Sequence, residues 1–346
     1  EHSCREIWQA DRATLLRWSG GRAWVDRFIR GRSSVSSEAT LAACRAARLR
    51  FIAHGAADYP ESLRRLHQPP AGLYVAGDGI ALEALAARPR VTIVGTRRPT
   101  SYGMTVAARL AAAFAARGVC VLSGLALGID GRAHRATLDA GGITAAVVGC
   151  GADVVYPGRH RELREKIVRR GVVLSEYAPG CSATPWSFPE RNRVLAALGA
   201  AVVVVEAPER SGALITARRA AELGKDVFAV PAPILTRESV GCNRLIYDGA
   251  IPCLDPDEVV EDFLRATRME RGGREPLVAS ADALDGRGDA DGAERLVLLA
   301  LAARSLTIDE VVQAVGLTMR EASVALAMLE VAGKVVRRGP GKYAVV

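Results

Sequence analysis

The sequence contains little lysine, no closely paired cysteines and no long apolar run. Its seven cysteines are scattered, and the absence of a C-x-x-C pair argues for reduced thiols rather than a disulfide framework or a zinc site. No stretch approaches the roughly 20 apolar residues that a membrane-spanning helix needs, and no basic-then-apolar export signal opens the sequence. We therefore expect a cytoplasmic protein with no membrane partner.

Several motifs that mark nucleotide-dependent or hydrolytic enzymes are also missing. The first glycine turn reads VGTRRPTSYG rather than G-x-G-x-x-G, which disfavours a dinucleotide ligand. No Walker-type lysine, nucleophile elbow or metal-ligand cluster accompanies that turn. We expect no catalytic residue, no metal and no cofactor, and a protein that is not an enzyme.

The basic residues are almost all arginine. Lysine occurs only at positions 166, 225, 334 and 342, so arginine accounts for 42 of the 46 basic residues. The net charge of +8 and the pI near 9.4 favour an anionic partner such as nucleic acid. A GC-rich genome enriches arginine whatever the function, so the position of each arginine carries more information than their number.

The stretch around Gly95 predicts an anion site. Val91–Val94 reads as a short buried parallel strand that Gly95 ends, and a helix is predicted over residues 101–117. Free N–H groups and the dipole of that helix point at the turn. The candidate phosphate-binding residues here are Gly95, Thr96, Arg97, Arg98 and Ser101. An ordinary turn between a strand and a helix is the alternative interpretation.

Strands and helices alternate from Val91 to about Val230, which predicts a parallel sheet covered by helices on both faces. Such sheets bind ligands at the carboxyl ends of their strands, where the later glycine turns also fall. Those turns add the candidates Ser123, Gly124, Gly128, Ser211 and Gly212. Ser211 could equally be a helix cap.

A loop over 176–190 and the helix predicted after it combine aromatic rings with guanidinium groups. Nucleic acid single strands are bound by such stacking platforms beside basic side chains, at roughly 1–3 kcal/mol per stacked base. The candidates are Phe188, Arg191, Asn192 and Arg193, with Trp186 as a weaker one. The alternative is that both aromatic rings are buried under the loop and that Asn192 caps a helix.

Asp130 and His134 lie four residues apart and could form an acid–base pair, with Glu206 as a third member. The structural alternative is that Asp130 accepts hydrogen bonds from free N–H groups at a helix start and that His134 bonds across the turn. We favour the structural interpretation because no other catalytic feature accompanies the pair.

The segments on either side of the sheet predict further domains. Residues 1–50 read as a small helical domain with Trp8, Trp18 and Trp24 in its core, and residues 51–265 as the extended Rossmann-like domain. A flexible polar linker is predicted over 266–292. No role follows for residues 1–50.

Residues 293–346 predict three helices and a terminal β-hairpin, which is typical of a winged helix. Thr307 with Glu310, and Thr318 with Glu321, have the spacing of capping boxes. The third helix carries few side chains that could read bases, so both DNA and protein remain open as its partner.

The motifs together resemble the DprA/Smf family of DNA-processing proteins. They are VGTRRPTSYG, SGLALGIDGRAH, GCGADVVYP, SEYAPG, FPERNRV, VVEAPERSGALITA and GCNRLI, in that order over about residues 51–260. The resemblance implies an extended Rossmann fold, single-stranded DNA binding, a homodimer, and loading of the RecA recombinase during natural transformation. It also implies DNA contacts at Gly95, Thr96 and Arg97, and a base stacked on Phe188.

The departures from the family pattern are local. They are Pro231-Ala232-Pro233 in place of Pro-Gly, Arg159-His160 in place of a polar pair, and Cys242 in place of a small hydroxyl residue. A rival interpretation is a nucleoside-monophosphate phosphoribohydrolase on a similar scaffold, but its P-G-G-x-G-T segment is absent from this sequence.

Overall fold

The computed structural model describes residues 4–77, 79–272, 290–301, 306–337 and 342–345. The chain forms two compact units, Glu1–Gly273 and Arg274–Val346. Within the described ranges, no helix combines the length and the apolar character needed to cross a membrane.

Four short helices open the first unit: α1 (Cys4–Gln9), α2 (Arg12–Ser19), α3 (Trp24–Ser34) and α4 (Ser37–Ala46). Asp11 and Ser36 cap α2 and α4. The prediction that three tryptophans form the core here is wrong, because Trp8, Trp18 and Trp24 are 46%, 40% and 42% exposed. Trp8 and Trp24 instead pack edge-on against the Phe28 ring.

A nine-stranded sheet follows. Its strands are β1 (Arg50–Ala53), β2 (Gly72–Gly77), β3 (Arg90–Val94), β4 (Cys120–Ser123), β5 (Thr144–Val147), β6 (Val172–Ser175), β7 (Ala201–Val204), β8 (Val227–Ala229) and β9 (Ile251–Pro252). The order is β1-β2-β6-β5-β4-β3-β7-β8-β9. From β6 to β9 all neighbours pair in parallel, which confirms the predicted fold class. The hairpin β1–β2 adds to the β6 edge in antiparallel orientation, which the sequence patterns did not indicate.

Helices cover both faces of this sheet. They are α5 (Glu61–Arg64), α6 (Gly79–Ala87), α7 (Ser101–Ala116), α8 (Ile129–Asp139), α9 (Arg161–Arg170), α10 (Ser187–Leu198), α11 (Gly212–Glu222), α12 (Val240–Tyr247) and α13 (Pro256–Gly272). One buried cluster joins the inner faces of α7, α8 and α13 to β3 and β7. On the opposite face, α10 and α11 pack on the same two strands. The strand order reverses at β3 and β7, so a crevice opens at their carboxyl ends.

The segment after β8 contains more structure than the sequence patterns indicated. Helix α13 continues to Gly272, beyond the predicted start of the linker at residue 266. Its buried residues Val259, Val260, Phe263 and Leu264 repeat at helical spacing and pack on the core, which explains the extension. The middle of the predicted linker, residues 273–289, lies outside the described residues.

The second unit contains α14 (Ala290–Leu301), β10 (Leu306–Thr307), α15 (Ile308–Val315), α16 (Met319–Val331), β11 (Val335–Arg337) and β12 (Lys342–Val345). The three strands pair in the order β10-β12-β11. Both predicted capping boxes are present, at Thr307–Glu310 and at Thr318–Glu321. The predicted winged helix is confirmed.

Candidate nucleic-acid interface

A cleft of about 580 Å³ opens at the carboxyl ends of β3 and β7. The turns after these two strands form two of its walls, and the start of α10 forms a third. The cleft brings together eight of the predicted site residues: Gly95, Thr96, Arg97, Phe188, Arg191, Asn192, Ser211 and Gly212. The other six do not line it: Arg98, Ser101, Ser123, Gly124, Gly128 and Arg193. We refer to it as the glycine-turn cleft.

The turn after β3 is held in a single conformation by close backbone packing. A Cβ on Gly95 would lie 2.6 Å from Ile129 Cγ1 and 2.9 Å from Glu206 O, so glycine is required there. Thr96 N donates to Glu206 O at 2.6 Å, which ties the turn after β3 to the turn after β7. Gly128, with φ +83°, packs against the Thr96 carbonyl group. Gly128 therefore supports the turn from behind rather than lining the cleft.

Arg97 and Phe188 form an accessible pair in the cleft. The Arg97 guanidinium carbon lies 5.0 Å from the centre of the half-buried Phe188 ring. Arg97 is exposed and makes no hydrogen bond or ion pair with any residue that the structure describes. A cation beside an aromatic ring, both reaching solvent, can bind a phosphate and a base of one nucleotide.

Tyr156 extends the aromatic surface, and sequence reasoning missed it. Its ring centre lies 5.5 Å from that of Phe188, with 37° between the ring planes, and its side chain is 44% exposed. Both rings also line a recess of about 50 Å³ beside the cleft. The signal available in the sequence was the position of Tyr156 in the motif GCGADVVYP, directly after the third glycine turn.

Arg210 is a second residue that the sequence interpretation did not name. It is exposed, lines the cleft, and precedes Ser211, which caps α11 by accepting a hydrogen bond from Ala213 N at 3.3 Å. The hydroxyl group of the half-buried Ser211 is therefore already used in a hydrogen bond, whereas Gly212 is exposed. The arginine in the motif ERSG was the available signal.

Side chains of this protein already engage part of the predicted anion site at the start of α7. Thr100 N donates to Glu206 Oε2 at 2.9 Å, and Gly103 N donates to the Thr100 hydroxyl group. Glu206 is 1% exposed, and a Cβ on Gly103 would overlap its Oε2 atom. Two of the N–H groups at this helix start therefore already have partners within the protein, and the predicted phosphate contact there stays a prediction. Exposed guanidinium groups lie nearby, those of Arg97 in the cleft and of Arg98 in the same turn.

The second glycine turn is held by internal hydrogen bonds, and part of it lines the recess beside Phe188 and Tyr156. Ser123 is fully buried and donates to Ile93 O at 2.6 Å. Asp130 Oδ2 accepts from Gly124 N at 3.1 Å and from Ala126 N at 3.3 Å, and burial raises the pKa of this carboxyl group. A direct DNA contact by Ser123, which we predicted, does not fit its burial, whereas Gly124 lines the recess beside the cleft and its predicted contact stays a prediction.

Arg191 and Arg193 are also internal. Arg191 is 4% exposed and donates to Val147 O at 2.5 Å, and burial lowers its pKa. Arg193 forms an ion pair with Glu176 at 2.5 Å. A phosphate contact by Arg193, which is paired and does not line the cleft, does not fit this geometry, whereas Arg191 lines the cleft despite its burial and its predicted contact stays a prediction. Asn192 joins α10 to α11 by donating to Gly212 O at 3.1 Å.

His134 does not share the cleft with Asp130. It is fully buried, and its Nδ1 atom lies 2.7 Å from Thr144 Oγ1, which itself donates to Val121 O. Burial lowers the pKa of His134 to about 3, so the ring is neutral at pH 7. The observed partners differ from those of the structural interpretation, because Asp130 holds the turn before α8 and His134 contacts Thr144 on β5, but the two side chains do not form an acid–base pair.

Comparisons with known proteins agree with this architecture. The family model described as DNA recombination-mediator protein A matches residues 50–264, and that of the DprA winged helix domain matches residues 279–342. Protein Smf of Synechocystis is 32% identical, over 96% of this chain and 89% of its own length. The putative DNA processing protein DprA of Mycobacterium tuberculosis is 43% identical, over 73% of this chain and 66% of its own length.

Two solved structures are similar to this chain. DNA processing protein A of Streptococcus pneumoniae superposes with a TM-score of 0.65 at 33% identity, covering 74% of this chain and 87% of that one. DNA processing protein A of Helicobacter pylori, a structure that addresses that protein's single-stranded DNA binding mode, gives a TM-score of 0.57 at 29% identity. It covers 64% of this chain and 98% of the other.

Proposed function

This chain belongs to the DprA/Smf family of DNA recombination mediators, and on that premise we propose that it binds single-stranded DNA in the glycine-turn cleft. The observation that carries the proposal is the Arg97–Phe188 pair, with the cation 5.0 Å from the ring. The guanidinium group binds a phosphate, and the ring offers a face to an unpaired base. The relative from Helicobacter pylori, whose structure concerns single-stranded DNA binding, supports the same ligand.

The cleft suits a single strand better than a duplex. Its aromatic side chains, Phe188 and Tyr156, can stack only on bases that are free of a partner strand. Its cationic groups, Arg97 and Arg210, lie on the turns after β3 and β7. Such contacts are to phosphate and ring faces, so we expect little sequence preference.

The test is a binding titration with single-stranded and duplex DNA of equal length at several salt concentrations. We expect tighter binding to the single strand, and a slope of log K against log salt of about −0.7 for each phosphate contacted. A preference for the duplex, or an affinity that does not change with salt, would falsify the proposal.

We also propose that the bound strand is handed to a RecA-type recombinase during DNA uptake. Family membership supports this step. The measurement is the rate of DNA-dependent ATP hydrolysis by RecA on DNA precoated with single-strand-binding protein. We expect the chain to raise this rate, and an Arg97→Ala variant that cannot hold the strand to lose the stimulation.

The proposed homodimer is supported by exposed apolar side chains in the segments between β8 and α13. Ile234, Leu235, Tyr247 and Leu254 are all strongly exposed there. Where such apolar side chains lie together on a surface, they mark an interaction site. Sedimentation should show a dimer that a Leu235→Glu, Leu254→Glu double variant converts to a monomer.

We propose no catalytic turnover. The two carboxyl groups near the cleft each hold the backbone: Asp130 accepts from the second glycine turn, and Glu206 accepts from Thr100 N through Oε2. Incubation with nucleoside monophosphates tests this, because released base or ribose phosphate would favour the phosphoribohydrolase alternative.

A further inference from the structure

A second cleft lies at the opposite end of the sheet, where β3 and β7 begin. It has a volume of about 560 Å³, within the range of small-ligand sites. Four of its lining residues are basic, namely Arg65, Arg88, Arg90 and Lys225, whereas Glu61 is the one acidic residue among them. We refer to it as the amino-end cleft.

Two of the four cations neutralise the back wall of the amino-end cleft. Lys225 Nζ donates to three carbonyl groups at the C-terminal end of α10, and Arg90 Nε donates to Leu198 O at 3.0 Å. The carbonyl groups at a helix end carry partial negative charge, which would repel an anion. Because Lys225 and Arg90 offset that charge, this wall is compatible with an anionic ligand.

The two other cations are available for a ligand. Arg88 is exposed and makes no hydrogen bond or ion pair with any described residue. The nearest carboxylate to Arg65 is that of Glu61, at 3.9 Å, and both side chains are exposed. An exposed pair at that distance contributes little free energy, so it does not hold the Arg65 guanidinium group in place.

The side chain of Ser62 also lines the amino-end cleft, and its hydroxyl group lacks a hydrogen-bond partner among the described residues. The Ser62 hydroxyl oxygen is buried. A buried polar group without a partner costs free energy unless a ligand or water satisfies it. Two arginines and one hydroxyl group therefore line the amino-end cleft, a donor set suited to phosphate.

We propose that the amino-end cleft binds a phosphate group through Arg65 and Arg88, with Ser62 as an additional donor. The phosphate belongs either to a mononucleotide or to the backbone of a nucleic acid strand. Pro89, Leu198 and Leu223 line the same cleft and provide apolar surface for the rest of the ligand. The site is separate from the glycine-turn cleft, since the five residues of β3 place the two strand ends about 13 Å apart.

The experiment uses the full chain with Arg97→Ala, so that binding at the glycine-turn cleft is weakened from the outset. Inorganic phosphate and thymidine 5′-monophosphate are titrated by calorimetry in a phosphate-free buffer. We expect measurable binding of both probes, and a weakening of about tenfold when either Arg65→Ala or Arg88→Ala is added. Arg109→Ala, on the exposed surface of α7, is the matched control and should change nothing. Thermal melting shows whether each variant is folded.

A competition arm distinguishes the two sources of phosphate. Displacement of the mononucleotide by an oligothymidine of about ten residues shows that the site takes a DNA backbone. Binding of the mononucleotide without displacement shows a nucleotide site. The proposal is overturned if neither probe binds in the Arg97→Ala background, or if the Arg65→Ala and Arg88→Ala changes together leave the affinity unaltered. Neither result bears on DNA binding by the glycine-turn cleft, which the Arg97 variants test.

Discussion

Arg97 and Phe188 provide the glycine-turn cleft with a charged group and an aromatic group. Both side chains face the cleft, and their contact is one of ring and cation rather than a hydrogen bond. Substitution of Arg97 and substitution of Phe188 should therefore change DNA binding in different ways. Salt dependence distinguishes them, because only a phosphate contact releases counterions.

Arg97→Ala should weaken single-strand binding and make the salt slope shallower by about 0.7, the value for one lost phosphate contact. Arg97→Lys should recover part of the affinity, because lysine keeps the charge but lacks the planar fork. The measurement is a fluorescence-anisotropy titration at several salt concentrations, with the exposed Arg169→Ala as the control. An unchanged affinity and slope for Arg97→Ala would exclude the turn after β3 as a DNA site.

Phe188→Ala should cost roughly 1–3 kcal/mol of binding free energy and leave the salt slope unchanged, whereas Phe188→Trp should be tolerated. Trp186→Ala is the control, because Trp186 lies in the same segment, is 62% exposed, and does not line the cleft. Melting curves accompany the titrations. A lower melting temperature with intact affinity for Phe188→Ala would mean that the ring serves packing alone.

Gly103 and Glu206 should be energetically coupled. Gly103→Ala alone should destabilise the protein by about 1–3 kcal/mol, because the added methyl group overlaps the Glu206 carboxylate. In a Glu206→Ala background the same change should be neutral or stabilising by up to about 1 kcal/mol, since alanine is the better helix former. Urea unfolding of the unchanged protein, the two single variants and the double variant gives the coupling free energy. An equal destabilisation by Gly103→Ala in both backgrounds would contradict the coupling.

At the scale of elements, periodicity predicted the central strands and helices of the sheet, but neither the first turn of α10 nor the β1–β2 hairpin. Strand β3 and helix α7 lie within one residue of their predicted bounds, because a four-residue apolar run and a capped alanine-rich helix are strong local signals. Helix α10 begins at Ser187, four residues before the predicted start, since Pro189 sits in its first turn and was read as loop. The antiparallel hairpin β1–β2 depends on pairing with β6, which is distant in sequence.

The same limit applies to the site residues. Which turns would meet could be predicted, because carboxyl ends of parallel strands share one edge. Which arginines face inwards could not, since Arg191 and Arg193 are set by contacts with Val147 and Glu176 elsewhere in the fold. The Glu206 carboxylate reaches α7 from a position 106 residues away.

Helix α16 of the winged helix presents an apolar outer face. Val324, Met328 and Val331 recur at spacings of four and three residues and are 55%, 55% and 88% exposed. Such a face offers neither phosphate contacts nor base-reading groups, which favours protein over DNA as the partner. We predict that Met328→Glu changes single-strand affinity by less than about twofold in the same anisotropy assay, since no phosphate contact is lost. A loss of an order of magnitude would show that this face meets DNA.

At the scale of the molecule, the two units have separate cores. The first unit contains the whole glycine-turn cleft and ends with α13 at Gly272. We predict that a chain ending at Gly272 stays folded and keeps most of its single-strand affinity. The matched control is a chain ending at Asp255, which lacks α13 and its buried residues and should therefore unfold.

Anisotropy titrations and circular dichroism of the shortened chain give the result. Loss of binding by the chain that ends at Gly272, with an intact circular dichroism spectrum, would show that the second unit contributes to the DNA site. Equal affinity of the full and shortened chains would show that the first unit is sufficient. The salt slopes of the two chains should then also agree, because the same phosphates are contacted.

The hydrogen bond between Thr96 N and Glu206 O has a kinetic consequence. Because it joins the turns after β3 and β7 in the free protein, the cleft is formed before any strand arrives. The conformational entropy lost on binding is then mainly that of the DNA strand. Association does not require the cleft of the protein to open first. Association should be fast and electrostatically steered by the net charge of +8. Variants of Phe188 should therefore differ from the unchanged protein mainly in the rate at which the DNA strand dissociates.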